Sequence, residues 1–194
     1  MTDWLIGLPT WQLARIFGIA SYLLLFGGMA LGMLYGYPFV KGAMKATVYK
    51  FHLRLTNGGT VLALAHAAIL LIDTYTPFTW QEVLIPFTSE NHPFLFGIGT
   101  LSLYGMLLLL FTSDFRQLLS RKLWLSIHLL SYPIFLLALV HGFFGGTDSG
   151  LPAIKYMYGA TLAVTLLLAC GRGLVRKAGP HGGRLQTSKR ARSL

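Results

Sequence analysis

The run Leu123 to Phe144, LWLSIHLLSYPIFLLALVHGFF, is long and apolar enough to cross a bilayer, yet it holds two histidines. Roughly 20 apolar residues, rising about 1.5 Å each, cover a hydrocarbon layer of ~30 Å. An ionisable side chain within that layer is costly and marks a functional site. His128 lies near one end and His141 near the other, thirteen residues and roughly 20 Å apart along a helix axis. Only one other apolar segment contains histidines: Phe51 to Tyr75, with His52 and His66 fourteen residues apart. Two helices, each with one histidine low and one high, can form two stacked pairs. Two neutral imidazoles facing each other across a gap are a natural axial ligand set for a haem iron. A hydrogen-bonded core histidine is the ordinary alternative for any one of them. Four at matched heights on two helices count against it.

The rest of the chain fits a membrane setting. Of its 194 residues 54% are hydrophobic and 11% charged, which excludes an ordinary soluble domain and predicts an all-α, integral membrane helical bundle. Cys170 is the lone cysteine, so an internal disulfide, a C-x-x-C-H haem attachment and a cysteine-held iron–sulfur cluster are all excluded. The expected cofactor is therefore haem b, two per chain and held without covalent links. Residues 1–12 read as an external, interfacial lead-in without the basic start of a cleavable signal peptide. Five transmembrane helices follow within residues 13–175: Leu13 to Tyr35, Phe51 to Tyr75, Phe94 to Phe111, Leu123 to Phe144 and Ala153 to Val175. Residues 176–194 read as a disordered, basic cytoplasmic tail. In the first span Gly28, Gly32 and Gly36 recur every four residues, which suits close helix packing, inside the bundle or at a dimer face.

Charge gives the orientation. Of 16 basic residues only Arg15 and Lys155 fall on the side shared by the N-terminus and the loops after spans two and four; the other 14 lie opposite. The positive-inside rule then places the N-terminus outside and the C-terminus in the cytoplasm of a bacterial cell membrane. The net charge of +10 becomes a matter of topology and of contact with anionic membrane lipid, and implies no nucleic acid partner. Trp4, Trp11, Trp80 and Trp124 lie near span ends, where an aromatic belt would have them. In this frame His52 and His128 hold an inner haem iron, and His66 and His141 an outer one.

Geometry refines the expectation. At 100° per residue Gly59 and Ala63 project within about 20° of His52, leaving room for macrocycles or a close helix. Fourteen residues return a helix to within about 40° of its starting direction, whereas thirteen leave it about 140° away. The fourth span thus needs a bend to re-aim His141, and Pro133 between its histidines supplies one. Arg54, Arg121 and Lys122 are candidates for the inner haem propionates, or they snorkel. Arg15 and Lys155 are candidates for the outer propionates. Phe135 sits either between the haems or in ordinary core. Asp73, Glu82, Glu90, His92 and Asp148 make the exterior acidic, which would attract Fe³⁺, Cu²⁺ or a cationic protein.

The pattern Trp124-x3-His128-x3-Tyr132-x8-His141, together with His52-x13-His66, resembles the ferric reductase transmembrane family. That family includes the membrane domains of NADPH oxidases, iron reductases and the small bacterial haem subunits of periplasmic methionine sulfoxide reductase. The resemblance runs from about Leu13 to Val175. It implies that the four matching histidines ligate two b haems and that electrons pass from the cytosol outwards. All four are present here, which places the chain nearer the two-haem branch, although five spans stand where the oxidases have six. No flavin or nicotinamide domain is visible: Gly97-Ile-Gly99 lies in an apolar helix without a preceding strand. Electrons must come from a cytoplasmic flavoprotein, a reduced flavin or quinol, and leave to an extracytoplasmic metal complex or redox protein. The expected function is a transmembrane electron-transfer subunit. A self-contained ferric or cupric reductase is the redox alternative, and a non-redox metal-ion transporter or structural subunit the alternative of another class.

Overall fold

A computed structural model of the protein describes residues 9–178, with side chains through Val175. The first eight residues, with Trp4, and the tail from residue 179, with Arg184, Lys189, Arg190 and Arg192, lie outside the described residues. Every regular element among the described residues is helical: α1 (Thr10–Leu34), α2 (Gly42–Leu70), a short α3 (Trp80–Leu84), α4 (Pro93–Asp114), α5 (Arg121–Leu129), α6 (Ser131–Gly145) and α7 (Pro152–Ala178).

Four helical segments are long and apolar enough to cross a membrane: α1, α4, α5 with α6 taken together, and the Pro152–Val175 part of α7. The chain is thus an all-helical, multi-pass membrane protein. Bilayer contact accounts for its surface, because no more than 22% of each apolar window is buried. Phe111, Leu167 and Leu174 each expose about two thirds of their surface or more. With lipid as apolar as leucine, small residues and hydrogen bonds must hold the helices together. The fifth expected span corresponds to α2, which at 29 residues is long enough; Lys45, Lys50, His52 and Arg54 in its first half leave it outside the apolar group.

Helix ends follow local chemistry. Pro93 and Pro152 open α4 and α7, where a missing backbone N–H costs nothing. Ser120 caps α5 by accepting from the Leu123 amide at 3.3 Å. The segment from Thr76 to Pro93, expected as a plain connection, contains α3, started by a reciprocal capping box between Thr79 and Glu82. The Thr79 amide, its hydroxyl and the Glu90 amide hold the Glu82 carboxyl below its ordinary pKa. The second helix begins nine residues before the expected Phe51 and stops five before Tyr75.

The antiparallel pair α1 and α2 is the most extensive contact, followed by α4 with α6. Gly28 in α1 and Gly36 just past its end both pack inside the bundle. A Cβ on Gly28 would lie 2.6 Å from the Thr56 side chain, and one on Gly36 would meet the Arg172 guanidinium at 2.9 Å. Ser21 donates to the Gly59 carbonyl at 2.7 Å, and a Cβ on Gly59 would strike Leu25 at 2.7 Å. The small residue at Gly59 therefore admits a close helix. Tyr22 and Phe135 stack at 5.5 Å, with Tyr158 at 4.7 Å from Tyr22, forming the buried core between α1, α6 and α7. Phe135 takes the core position, 7% exposed, midway along the chain between His128 and His141.

Candidate functional site

The α2 and α6 helices touch each other little; each lies against its own partner, α1 or α4. That arrangement leaves a gap between the two histidine helices. The rings of His52 and His128 face each other across it with centroids 6.4 Å apart and planes at 73°. His66 and His141 repeat the arrangement at 6.5 Å and 72°. The pairs formed are the ones expected from the matched heights. The α5/α6 junction lies between the two histidines of this stretch. Pro133 offers no N–H to the Leu129 carbonyl, so the Leu130 amide closes on Ile127 at 2.9 Å and the helix restarts with Ile134 donating to Leu130 at 3.0 Å. The break falls at Leu130, between His128 and Pro133.

Three of the rings are held from behind by backbone. His52 Nδ1 donates to the Gly28 carbonyl at 2.7 Å, His66 Nδ1 to the Ala14 carbonyl at 2.7 Å and His141 Nδ1 to the Leu95 carbonyl at 2.8 Å. A carbonyl only accepts, so in each neutral ring the proton sits on Nδ1 and the Nε2 lone pair is free. Glycines make room for the rings. A Cβ would lie 3.2 Å from His66 Nδ1 on Gly18, 3.2 Å from His52 Nδ1 on Gly32, and 2.6 Å from His141 Nδ1 on Gly99. His128 is held differently: the Trp124 indole stacks on it with centroids 4.9 Å apart and planes at 19°.

The spacing has a direct chemical reading. A metal–imidazole bond is about 2.0–2.1 Å, and a five-membered ring with bonds of about 1.33 Å puts its nitrogen about 1.1 Å from its centre. Two such ligands on opposite sides of one metal set their centroids about 6.4 Å apart. Among the described residues no three of His, Cys, Asp and Glu converge, so each pair offers two protein donors and leaves further coordination to another molecule. Beside His66 and His141 opens a mostly apolar cavity of about 640 Å³, bordered by Gly18, Ala63, Phe96 and Gly99. That volume is in the range of small-molecule and cofactor sites.

The other candidates scatter. Arg15 borders the cavity, but its guanidinium forms a bidentate ion pair with Asp148, Nε to Oδ2 at 2.7 Å. Lys155 is exposed at the start of α7. Arg54 is exposed on α2, its guanidinium 5.9 Å over the Phe51 ring. The supposed acidic lure is largely committed to structure. Asp73 is buried, accepting from Thr10 Oγ1 at 2.5 Å and the Thr76 amide at 2.8 Å, while Glu82 serves its capping box. The glycines and carbonyls behind the rings were not singled out from sequence as ring supports. Gly32 drew notice only as helix packing and Gly99 only as a failed nucleotide fingerprint. Comparison with protein-family models, with curated proteins and with solved structures finds no match to this chain.

Proposed function

We propose that the chain is a bis-haem b transmembrane electron-transfer subunit of the ferric reductase-like class, in which His52 and His128 would hold an inner haem iron and His66 and His141 an outer one. One observation carries the reading: two histidine pairs, about 20 Å apart along the helices, share one ring separation and one interplanar angle, and three of their four rings keep Nε2 free by donating Nδ1–H to a carbonyl. When bound, haem b supplies a one-electron Fe³⁺/Fe²⁺ couple. The residues around it have separable tasks. Backbone carbonyls of Ala14, Gly28 and Leu95 fix the ring orientation and strengthen the imidazoles as donors. Gly18, Gly32 and Gly99 admit the rings, and mostly apolar walls line the cavity beside the outer pair.

Direction is part of the proposal. Lys41, Lys45, Lys50, Arg116, Arg121, Lys122 and Arg172 gather where α1, α4 and α7 end and α2 and α5 begin; Arg15 and Lys155 lie at the opposite end. By the positive-inside rule the His52/His128 pair is cytoplasmic and the His66/His141 pair extracytoplasmic, with five spans including α2. Electrons would enter from a cytoplasmic flavoprotein, a reduced flavin or membrane quinol, and leave to an extracytoplasmic metal complex or redox protein.

A pyridine haemochrome assay on freshly purified protein should give two haems per chain. His66→Ala and His52→Ala should each give one and the double variant none, because sites this far apart couple weakly. One haem or none in the unaltered protein would refute the reading.

A further inference from the structure

His128 is the exception among the four rings. Its Nδ1 is buried without a hydrogen-bond partner among the described residues, and so is Nε1 of Trp124, one helical turn earlier. In place of a carbonyl, His128 has the indole face at 4.9 Å, and the Arg116 guanidinium lies over the same indole at 5.4 Å. Arg116 belongs to the tight turn Arg116–Leu118 that joins α4 to α5, so a column of Arg116, Trp124 and His128 leads from the basic end of the bundle to the inner pair. A guanidinium attracted to the electron-rich face of an indole fixes that indole, and a fixed flat surface leaves an imidazole stacked on it little freedom to turn.

We infer that Trp124 is a positioning residue for His128, fixing by stacking the ring plane that backbone carbonyls fix for His52, His66 and His141. The inference rests on the proposed role of His128 as an iron ligand. It has an electronic corollary. An imidazole whose N–H meets an acceptor is the stronger donor, so His128, whose Nδ1 is buried without a partner among the described residues, is the weakest of the four. Removing the indole lets water reach Nδ1–H, strengthens the ligand and favours the oxidised iron of that centre alone.

The test uses the full chain in detergent, as the unaltered protein, Trp124→Phe and Trp124→Leu, with His52→Ala and His66→Ala to assign each centre. Low-temperature electron paramagnetic resonance reads the mutual orientation of the axial ring planes, potentiometric titration reads each midpoint, and haem per chain is measured alongside. In Trp124→Leu the centre absent from His52→Ala should change its largest g value and fall in midpoint, or lose its haem, while the centre absent from His66→Ala stays as it was. Trp124→Phe, which keeps a flat face and lacks the N–H, should retain both signatures. Unchanged spectra and midpoints in Trp124→Leu would overturn the inference. So would a Phe variant altered as much as the Leu variant, or an equal change at both centres. An unaltered protein without haem would overturn the functional reading first and this inference with it.

Discussion

At the scale of single residues, the four histidines were legible because an ionisable group in an apolar run is conspicuous and its height in the membrane follows from counting. Their supports were not. A backbone carbonyl has no sequence signature, and a glycine facing a ring reads the same as one facing a helix. Gly99 shows the difference in a testable way. A methyl there would sit 2.6 Å from both Nδ1 and Cε1 of His141, whereas one on Gly18 would sit 3.2 Å from His66 Nδ1. Overpacking of the first kind costs about 1–3 kcal/mol or displaces the ring, and the second needs a shift of a few tenths of an ångström. Gly99→Ala should therefore reduce haem content from two towards one per chain, the survivor being the centre that remains in His141→Ala. Gly18→Ala should stay close to two. Equal haem content in the two variants would count against His141 depending on Gly99 for its place.

At the scale of elements, the apolar cores of the expected spans fell where α1, α4, α6 and α7 stand, and the errors lie at their ends. Lys41 to Lys50 read as a basic connection because charge signals a loop end, yet α2 runs through Lys45 and Lys50 from Gly42. Charged residues propagate a helix well enough when it leaves the apolar layer. The α3 helix was missed although Thr79 and Glu82 spell its capping box, since five residues carry too little periodicity to register. The helix expected to bend near Pro133 is interrupted at Leu130, and the interruption can be removed. Pro133→Ala restores an N–H for the Leu129 carbonyl and favours one straight helix. Because α6 is anchored along α4 far more than α5 is, straightening should move α5 and His128. The expected outcome is loss of about one haem per chain, leaving the spectrum of the centre that survives in His128→Ala. A Pro133→Ala protein with both centres intact would show that packing alone sets the interruption.

At the scale of the whole molecule, the place of α2 decides the topology. If only the four apolar segments cross, the termini share one side; if α2 crosses as well, they lie opposite. Hydropathy separates α2 from the others, but registry joins it to them. His66 meets the carbonyl of Ala14 near the start of α1, and the Gly32 position near its end meets His52, so α2 runs level with α1 over most of its length. A helix aligned with a membrane-spanning neighbour over some 20 Å shares most of the hydrocarbon layer with it. Lys45 and Lys50 then fall at or beyond the basic end and Arg54 about a turn inside it, from where a long side chain reaches the headgroups at modest cost. The polar half of α2 is thus what a helix continuing past the interface looks like. Reporter fusions should bear this out. Alkaline phosphatase placed after Leu194 should be inactive and a cytoplasmic reporter there active, while phosphatase inserted in the Gly146–Gly150 loop should be active. The crossing of α2 is read from the connections on either side of it: phosphatase inserted between α1 and α2 should be inactive and phosphatase inserted between α2 and α3 active, and the same activity at both would mean that α2 does not cross. In that case His52 and His66 could not stand at opposite faces of the bilayer, and the inner and outer assignment of the two pairs would fall with it.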